Sequence, residues 1–334
     1  MFKTLGVVIT YRETEMTKKA IKSLISADVD VALVFNGWDE SYRGWLDNLE
    51  QYIDFKFLNK NNVGFCRGNN QAMRLAIEKN YDYVFLLNND AWIEEDCIKE
   101  LIRKCKGNVG LLQPKVYKAW DKKLLDTTGL IFRYGNKYSW ENGLGYVIDR
   151  GQNEIDEGQY DEVYNIVGCC ACATLYKVKM IKEVGLFWEG LWSQGEDVEF
   201  SWRAYKHGWK AKFVPEAVSY HWRGYSLKKE KSEILGKSIR NLKKLWSVLS
   251  YRNWALTLLR HGNRKQKFFT GFMWMYVGYK SWFGKRLGRD DVEGKYIWLC
   301  SLALLSENYL SLMEMNYKIL FESCGIQVGC LYND

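Results

Sequence analysis

A run of four apolar residues, Val84 to Leu87, leads directly into two amides and a carboxylate, Asn88, Asn89 and Asp90. A short, continuous apolar run predicts a strand that is buried on both faces, which is typical of a parallel sheet. Helical patterns flank the run on both sides. Because ligands of open α/β sheets collect outside the carboxyl ends of the strands, Asp90 is well placed to hold a divalent cation against a phosphate. It is equally well placed to cap the next helix.

Three further apolar runs precede this strand, at Leu5 to Thr10, Val29 to Phe35 and Phe55 to Leu58. Strands that alternate with helices predict an α/β fold with a mostly parallel, doubly wound sheet flanked by helices. The chain has neither a Gly-x-Gly-x-x-Gly fingerprint nor a complete phosphate-loop motif, which disfavours dinucleotide dehydrogenases and phosphate-loop NTPases. Polar residues at the predicted strand ends are those expected of a nucleotide site, namely Thr10, Tyr11, Asn36, Asn62 and Asp90.

The pattern changes after residue 108. Frequent turn residues between Val109 and Tyr164 indicate hairpins and a mobile loop, and the run from Asn165 to Tyr176 predicts another buried strand. Glu196 and Asp197 lie in the first turn of a helix predicted to end near residue 206, where the helix dipole favours anions. An ordinary helix N-terminus accounts for these two acidic residues equally well.

Composition limits the class of protein. Apolar residues make up 47% of the 334 residues, enough for a large core plus an appendage. No apolar run approaches the ~20 residues of a membrane-spanning helix, and the N-terminus lacks the layout of a secretory signal. The nine cysteines show no paired zinc-ligand spacing, so we expect free, mostly buried thiols in a reducing cytoplasm.

Positive charge is concentrated near the C-terminus. Between Trp222 and Lys295, 18 Lys and Arg residues oppose 5 Asp and Glu residues, a local charge of +13 in a chain of net charge +8. Such a segment, rich in aromatic residues, is typical of proteins that bind nucleic acid, an anionic membrane or an acidic substrate. The helical spacing of its apolar residues favours helices that either pack on the rest of the chain or lie on a membrane surface.

Together, these segments resemble glycosyltransferase family 2, which has the GT-A fold, and within it the rhamnosyltransferase-like and galactofuranosyltransferase-like members. The similarity spans roughly residues 5 to 255 and keeps the family order. Its segments are Val7 to Tyr11, Asn61 to Phe65 with Gly68 to Asn70, Leu86 to Asp90, Gly185 to Phe187, Gly195 to Phe200 with Arg203, Gly208 with Pro215 to Ala217, His221, and Tyr251 to Asn253.

The resemblance implies roles for single residues. Asp90 corresponds to the metal-binding carboxylate of the family's Asp-x-Asp motif, Asn88 stands at its first position, and His221 corresponds to a histidine that reaches the metal or the diphosphate. Asp197 corresponds to the catalytic base. The residues implied for the donor are Thr10, Tyr11, Asn36, Gly64, Asn88 and Asp90, and those for the acceptor are Trp188, Trp192 and Glu196.

These correspondences predict an inverting glycosyltransferase, dependent on Mg²⁺ or Mn²⁺, that acts in cell-surface polysaccharide synthesis. It would move a hexosyl or deoxyhexosyl group from a nucleotide-diphosphate sugar to a hydroxyl of a glycan or lipid-linked glycan. The alternative is a non-catalytic sugar- or nucleotide-binding protein on the same fold. A nucleic-acid-binding protein would leave the ordered strand-end residues unexplained, so no nucleic-acid partner is expected.

The predicted organisation has two parts. A catalytic domain covers residues 1–234, with a nucleotide-sugar half at about 1–108 and an acceptor half at about 109–234. A helical, basic and aromatic region covers residues 235–334. We expect a cytoplasmic protein that this region attaches peripherally to the anionic inner face of the cell membrane.

Overall fold

The computed structural model describes residues 2–12, 15–223 and 249–284, with the backbone alone for residues 277–284. Its helices are α1 (Glu15–Ser26), α2 (Arg43–Asp47), α3 (Gly64–Glu78), α4 (Cys97–Lys104), α5 (Val178–Val184), α6 (Glu196–Lys206), α7 (residues 249–261) and α8 (Arg264–Gly284). Its strands are β1 (Thr4–Tyr11), β2 (Asp30–Asn36), β3 (Phe55–Asn59), β4 (Tyr83–Asn88), β5 (Ala91–Ile93), β6 (Val109–Lys118), β7 (Asp121–Thr127), β8 (Leu130–Gly135), β9 (Gly143–Asp149), β10 (Ala173–Lys177) and β11 (Lys210–His221).

Nine of these strands form one mixed sheet in the order β3-β2-β1-β4-β10-β6-β11-β5, with β7 paired to β6. The strands β3, β2, β1 and β4 are parallel, as the sequence predicts for the nucleotide half. Strand β10 runs antiparallel between β4 and β6, whereas β11 is parallel to β6. Strands β8 and β9 form a separate hairpin. The predicted α/β class is confirmed, with helices on both faces of the central sheet.

The core lies on both faces of this sheet. In β1, Val7 belongs to one buried cluster and its neighbour Val8 to the other, because successive side chains of a strand point to opposite faces. Helices α1 and α4 cover the Val8 face, and α3, α5, α6 and α7 cover the Val7 face. Each fully buried aliphatic side chain contributes about 1.5–3 kcal/mol, which explains why the parallel strands are apolar throughout.

The strand predicted over residues 165–176 is much shorter, since β10 begins only at Ala173. Just before it, two backbone N–H groups bond to side chains. The backbone N–H of Cys170 donates to Gln113 Oε1 at 2.7 Å, and that of Ala171 donates to Asp197 Oδ2 at 3.2 Å. The apolar pattern thus marks burial correctly, but the backbone of residues 169–172 is used to build a pocket.

The described part of the C-terminal region packs on the catalytic core. Trp254 and Leu258 of α7, and Trp274 of α8, belong to the same buried cluster as Val7. The predicted boundary between residues 234 and 235 and the apolar pattern that includes Trp246 lie outside the described residues. Among the helices that the structure describes, none combines the length and the apolar character needed to span a bilayer.

Candidate active site

The end of β4 lies close to the end of β11. After β4 the chain reverses into β5, which pairs antiparallel with β11 so that Ala91 lies opposite His221. This register places Asp90 Oδ1 3.0 Å from His221 Nε2, with both side chains buried. Asn88 Nδ2 lies 3.4 Å from the same imidazole nitrogen. The structure therefore brings together the three residues that the sequence suggested for a metal and a diphosphate.

A second carboxylate, that of Asp126, bonds to the other nitrogen of the His221 imidazole. Asp126, at the end of β7, is fully buried, and its Oδ2 lies 2.9 Å from His221 Nδ1. Lys118 Nζ donates to Asp126 Oδ1 at 2.6 Å, and Arg223 Nε donates to the same oxygen at 2.9 Å. A carboxylate that accepts a bond from one ring nitrogen fixes the ring orientation and leaves the other nitrogen facing the ligand.

These ion pairs shift the acidity of both groups. Burial disfavours the charged form of Asp126, but the hydrogen bond to His221 and the charge of Arg223 outweigh it and lower its pKa far below the ordinary value. Burial likewise disfavours a charged His221, but the neighbouring Asp90 carboxylate and the bonds to both acids raise its pKa well above the ordinary value. Without a metal ion, the pocket therefore favours a positive charge at the imidazole and a negative charge on Asp126. A cation bound at Nε2 would replace the proton there, because only a neutral imidazole can ligate a metal.

The predicted base stands at the first turn of α6. Burial raises the pKa of Asp197 to about 6, against a lowering effect of the Ala171 N–H. Burial, together with the charge of Asp197, raises the pKa of the adjacent Glu196 to about 8. Because the two groups are adjacent, they titrate as a pair, and the more strongly raised pKa of Glu196 makes Asp197 the member that is more readily ionised.

Residues 169–172 connect these two groups. The N–H of Ala171 bonds to Asp197, while a ring nitrogen of His221 lies within 4.8 Å of the sulfur of Cys172. The carbonyl of Cys172 accepts a 2.9 Å bond from the N–H of Asn88 at the end of β4. The base, the histidine and the strand end therefore border one short segment of backbone.

The residues predicted for the nucleotide lie along the ends of β1 and β2. Thr10 is buried, and its hydroxyl accepts a 3.3 Å bond from Asn89 Nδ2, which ties it to the β4 turn. Asn36 is buried, and its Nδ2 lies 3.4 Å from the carbonyl of Gly64. Tyr11 is half-exposed at the same edge. Tyr11 thus presents an exposed ring at this edge, whereas the buried Thr10 and Asn36 bond to neighbouring parts of the chain.

The two tryptophans predicted for the acceptor lie just before α6. The indole of Trp192 covers Gly64, where an added Cβ would lie 2.6 Å from the ring, so only glycine fits beneath it. The ring of Trp188 lies under the guanidinium of Arg260, 4.5 Å from the ring centroid. Both indoles are partly buried. The donor-side Gly64 and the acceptor-side Trp192 are therefore in direct contact.

A family model described as glycosyl transferase family 2 matches residues 7–185, more than half of the chain. The chain belongs to this family. The match covers the strand ends that carry Thr10, Asn36, Asn88 and Asp90, and it ends before α6. No curated protein sequence matches the chain.

Solved structures agree with this family 2 glycosyltransferase in fold. A structure of GalNAc-T7 with UDP, GalNAc and Mn²⁺ is 13% identical, with a TM-score of 0.56 over 94% of this chain. Residues 1–349 of S. aureus TarS are also 13% identical, with a TM-score of 0.53 over 96% of this chain and 91% of that one. The chain spans 58% of the GalNAc-T7 chain and 50% of the longer TarS chain. The GT-A fold expected from the sequence is confirmed.

Several residues of this site carried no signal in the sequence. Lys118, Asp126 and Arg223 surround the imidazole of His221, and Arg223 Nη2 also bonds to Asp149 Oδ2 at 2.9 Å. The one hint for Asp126 is an acid placed directly after two leucines in a predicted hairpin. Its partners come from the ends of β6 and β11, about 10 and 100 residues away along the chain, so no local pattern could group them.

The residues at this end of the glycosyltransferase suit a divalent cation. Asp90 offers a carboxylate oxygen and His221 an imidazole nitrogen at nearly the same point, and Mn²⁺ and Mg²⁺ favour such hard or borderline donors. Donor atoms of Asp126, Cys172 and His221 also lie within 4.8 Å of one another. Because Lys118 and Arg223 already bond to Asp126, electrostatics favours a cation on the Asp90 side of the ring.

Proposed function

We propose that this protein is an inverting, metal-assisted glycosyltransferase that extends a glycan. Its donor would be a nucleotide-diphosphate sugar and its acceptor a hydroxyl of a glycan or lipid-linked glycan in cell-surface polysaccharide synthesis. The observation that carries the proposal is the grouping of Asp90, His221 and Asp197 around residues 169–172. A site that binds only a nucleotide needs no carboxylate with a raised pKa beside it.

The geometry supports a single displacement. Asp197 accepts the proton of the acceptor hydroxyl while the hydroxyl oxygen bonds to the anomeric carbon of the donor. The bond from that carbon to the diphosphate oxygen breaks, and its electron pair leaves with the diphosphate. Because burial disfavours the charged form of Glu196 more than that of Asp197, Asp197 is the better base of the pair. One displacement inverts the configuration at the anomeric carbon, whereas two would retain it.

Glu196 has a place in acceptor binding. Its Oε2 is buried and meets no hydrogen-bond partner among the described residues. A buried, unsatisfied polar atom costs free energy, which a ligand hydroxyl can recover by bonding to it. Trp192, on the same loop, supplies an apolar ring against which a sugar can stack. We therefore place the acceptor between these two residues.

Asp90 and His221 would hold the cation, with Asn88 beside them. The bound cation supplies positive charge against the diphosphate as negative charge develops on it. With one carboxylate in this group, the protein alone provides too little charge for tight binding, so the diphosphate oxygens have to complete the ligand set. Asp126 keeps His221 Nε2 directed at Asp90.

A screen of nucleotide sugars tests the proposal. A ligand at 100 times its Kd stabilises the folded state by about 2.7 kcal/mol, so the matching donor should raise Tm measurably, and more with Mn²⁺ or Mg²⁺ than with EDTA. Positive donors are then incubated with glycan acceptors, and release of the nucleoside diphosphate is followed. Stabilisation without any transfer or donor hydrolysis would favour the non-catalytic alternative, which Asn88 in place of a second carboxylate supports.

The surface that we propose for peripheral membrane attachment lies on α8 and does not include the buried tryptophans of this region. Trp254 and Trp274, two of the aromatic residues in the basic segment between Trp222 and Lys295, are buried in the core because α7 and α8 pack on the rest of the chain. Trp246 and Trp282 lie outside the described side chains. On the opposite face of α8, Phe268, Phe272 and Tyr276 are exposed by 65%, 63% and 56%. Their spacing of four residues forms one aromatic stripe, with exposed Arg264 and Lys265 at its start.

We propose that this stripe lies on the anionic inner face of the cell membrane. Vesicle co-sedimentation at low salt should show binding to anionic but not to neutral vesicles, with loss at high salt. The double change Phe268→Ser and Phe272→Ser should reduce pelleting several-fold. Tyr52→Ser serves as the control, because Tyr52 is also an exposed aromatic residue but does not belong to α8. Equal pelleting with both vesicle types, or no effect of the double change, would contradict the assignment.

A further inference from the structure

Residues 190–195, which precede the predicted base Asp197, are hydrogen-bonded to side chains of α7. Asn253, which is fully buried, donates from Nδ2 to the carbonyls of Leu191, Ser193 and Gln194 at 2.9, 2.8 and 2.7 Å. Its Oδ1 accepts a 2.8 Å bond from Nη1 of Arg252, which also donates to the carbonyl of Gly190 at 3.1 Å. Two neighbouring side chains thus bond to four carbonyls between residues 190 and 194.

The conformation of this segment requires such support. Trp192 has φ 59° and ψ −59°, and Gln194 has φ 75°. Residues that have a Cβ rarely adopt a positive φ, and they keep this conformation only where the surrounding structure imposes it. The winding directs several carbonyls toward one point, where the Asn253 amide lies. Without that amide, the carbonyls of Ser193 and Gln194 would lose this bond, while that of Leu191 would keep only the N–H of Ser193, and the segment would relax to a more common conformation.

The opposite side of the segment is fastened to α3. The carbonyl of Trp192 accepts a 3.0 Å bond from the N–H of Cys66, and its indole covers Gly64. Immediately after Gly195, α6 begins with Glu196 and Asp197. The segment is therefore held between the donor side of the pocket and α7, and its end sets where the first turn of α6 starts.

We infer that Arg252 and Asn253 are positioning residues for sugar transfer. They hold residues 190–195 so that the Asp197 carboxylate and the Trp192 ring face the acceptor, without themselves touching either substrate. The inference rests on the proposed function for its kinetic consequence, but the fastening itself is a property of the folded chain. Arg252 and Asn253 belong to a segment of the family resemblance, Tyr251 to Asn253, for which the sequence implied no role, and this inference assigns them one.

Three variants test the inference. Asn253→Ala removes the donor, and Asn253→Asp keeps the shape but sets a carboxylate against the carbonyls. Thr257→Val is the matched control, because Thr257 is equally buried one turn further along α7 and its hydroxyl bonds at 2.8 Å only within the helix, to the Asn253 carbonyl. Both Asn253 variants should lose at least tenfold in kcat and raise KM for the acceptor. Their affinity for the nucleoside diphosphate should stay within twofold, as should all parameters of Thr257→Val.

Hydrogen exchange supplies a readout that does not depend on activity. Backbone amides of residues 192–197 should exchange at least tenfold faster in Asn253→Ala, while those of β1 and β4 stay unchanged. If Asn253→Ala does not fold, Arg252→Gln, which removes the bond to Gly190, should show the same local effect to a smaller degree. Unchanged exchange together with unchanged kcat would overturn the inference, as would equal losses of donor and acceptor affinity. A wild-type protein that transfers no sugar would defeat the proposed function alone, since exchange still measures the fastening.

Discussion

Replacing Asp197 by asparagine is expected to lower sugar transfer ~10²–10⁴-fold, the usual range for loss of a general base. The amide keeps the size of the side chain but cannot accept the proton of the acceptor hydroxyl. Affinity for the nucleoside diphosphate should be unchanged, because the donor phosphates belong to the Asp90 and His221 side of the pocket. Turnover is measured as diphosphate release with acceptor present, and donor binding by calorimetry on the same preparation.

The pH dependence provides a second test of the same residue. Because the pKa of Asp197 is raised to about 6, the wild-type kcat/KM should fall as the pH drops below 6, where the base becomes protonated. Asp197→Asn should lack this acidic limb. Glu196→Gln is the control, since the more strongly raised pKa of Glu196 makes Asp197 the better base, and the change should raise acceptor KM more than it lowers kcat. Turnover of Asp197→Asn within a few-fold of wild type would remove Asp197 from the role.

Removing Asp90 is expected to uncouple donor binding from the metal. In the wild type, chelation of divalent cations by EDTA should weaken nucleoside-diphosphate binding by about tenfold or more, which is ~1.4 kcal/mol or more. Asp90→Ala should bind the diphosphate weakly with or without Mn²⁺, because the carboxylate that meets His221 Nε2 is gone. Calorimetric titration of each protein with nucleoside diphosphate, in Mn²⁺ and in EDTA, measures both effects.

Asn88→Asp is the matched variant for that experiment. It places a second carboxylate where the amide now lies 3.4 Å from His221 Nε2, so Mn²⁺ should bind more tightly to the free protein. General damage to the turn would weaken metal binding in both variants. Tighter Mn²⁺ binding in Asn88→Asp beside weaker binding in Asp90→Ala would therefore identify an effect on the metal ligands themselves. Wild-type affinity that is the same in EDTA as in Mn²⁺ would exclude a metal from donor binding at this site.

Local patterns predicted the parallel half of the molecule well. The apolar runs of β1, β2 and β4 are buried on both faces, so composition alone marks them, whereas the edge strand β3 is only partly buried. The polar residue after each run marks its end. The boundaries were less certain, as α3 begins at Gly64, five residues before the periodic pattern at Asn69. In its first turn Gly64 lies beneath the Trp192 ring and Arg67 is exposed, so the apolar periodicity is weak there.

The antiparallel half depends on contacts that no local pattern contains. Strand β11 extends over Lys210–His221 with an irregular register near Pro215, whereas its apolar signal suggests only residues 212–215. The same limit applies to Asp126. It is an isolated acid in the sequence, and its importance comes from the pairing of β6 with β7 and β11, which brings it to His221.

The sequence by itself determined the family and the fold class, and it singled out Asp90, Asp197 and His221 as candidates, because these depend on short motifs and on burial. Only the tertiary structure decided which of these residues lie together. The turn after β4 returns as β5 beside β11, which joins Asp90 to His221 across 131 positions of sequence. Asn253 reaches the loop before Asp197 from a helix about 60 residues further along the chain. Such contacts follow from strand register and helix packing, and these are settled by the whole core rather than by any one segment.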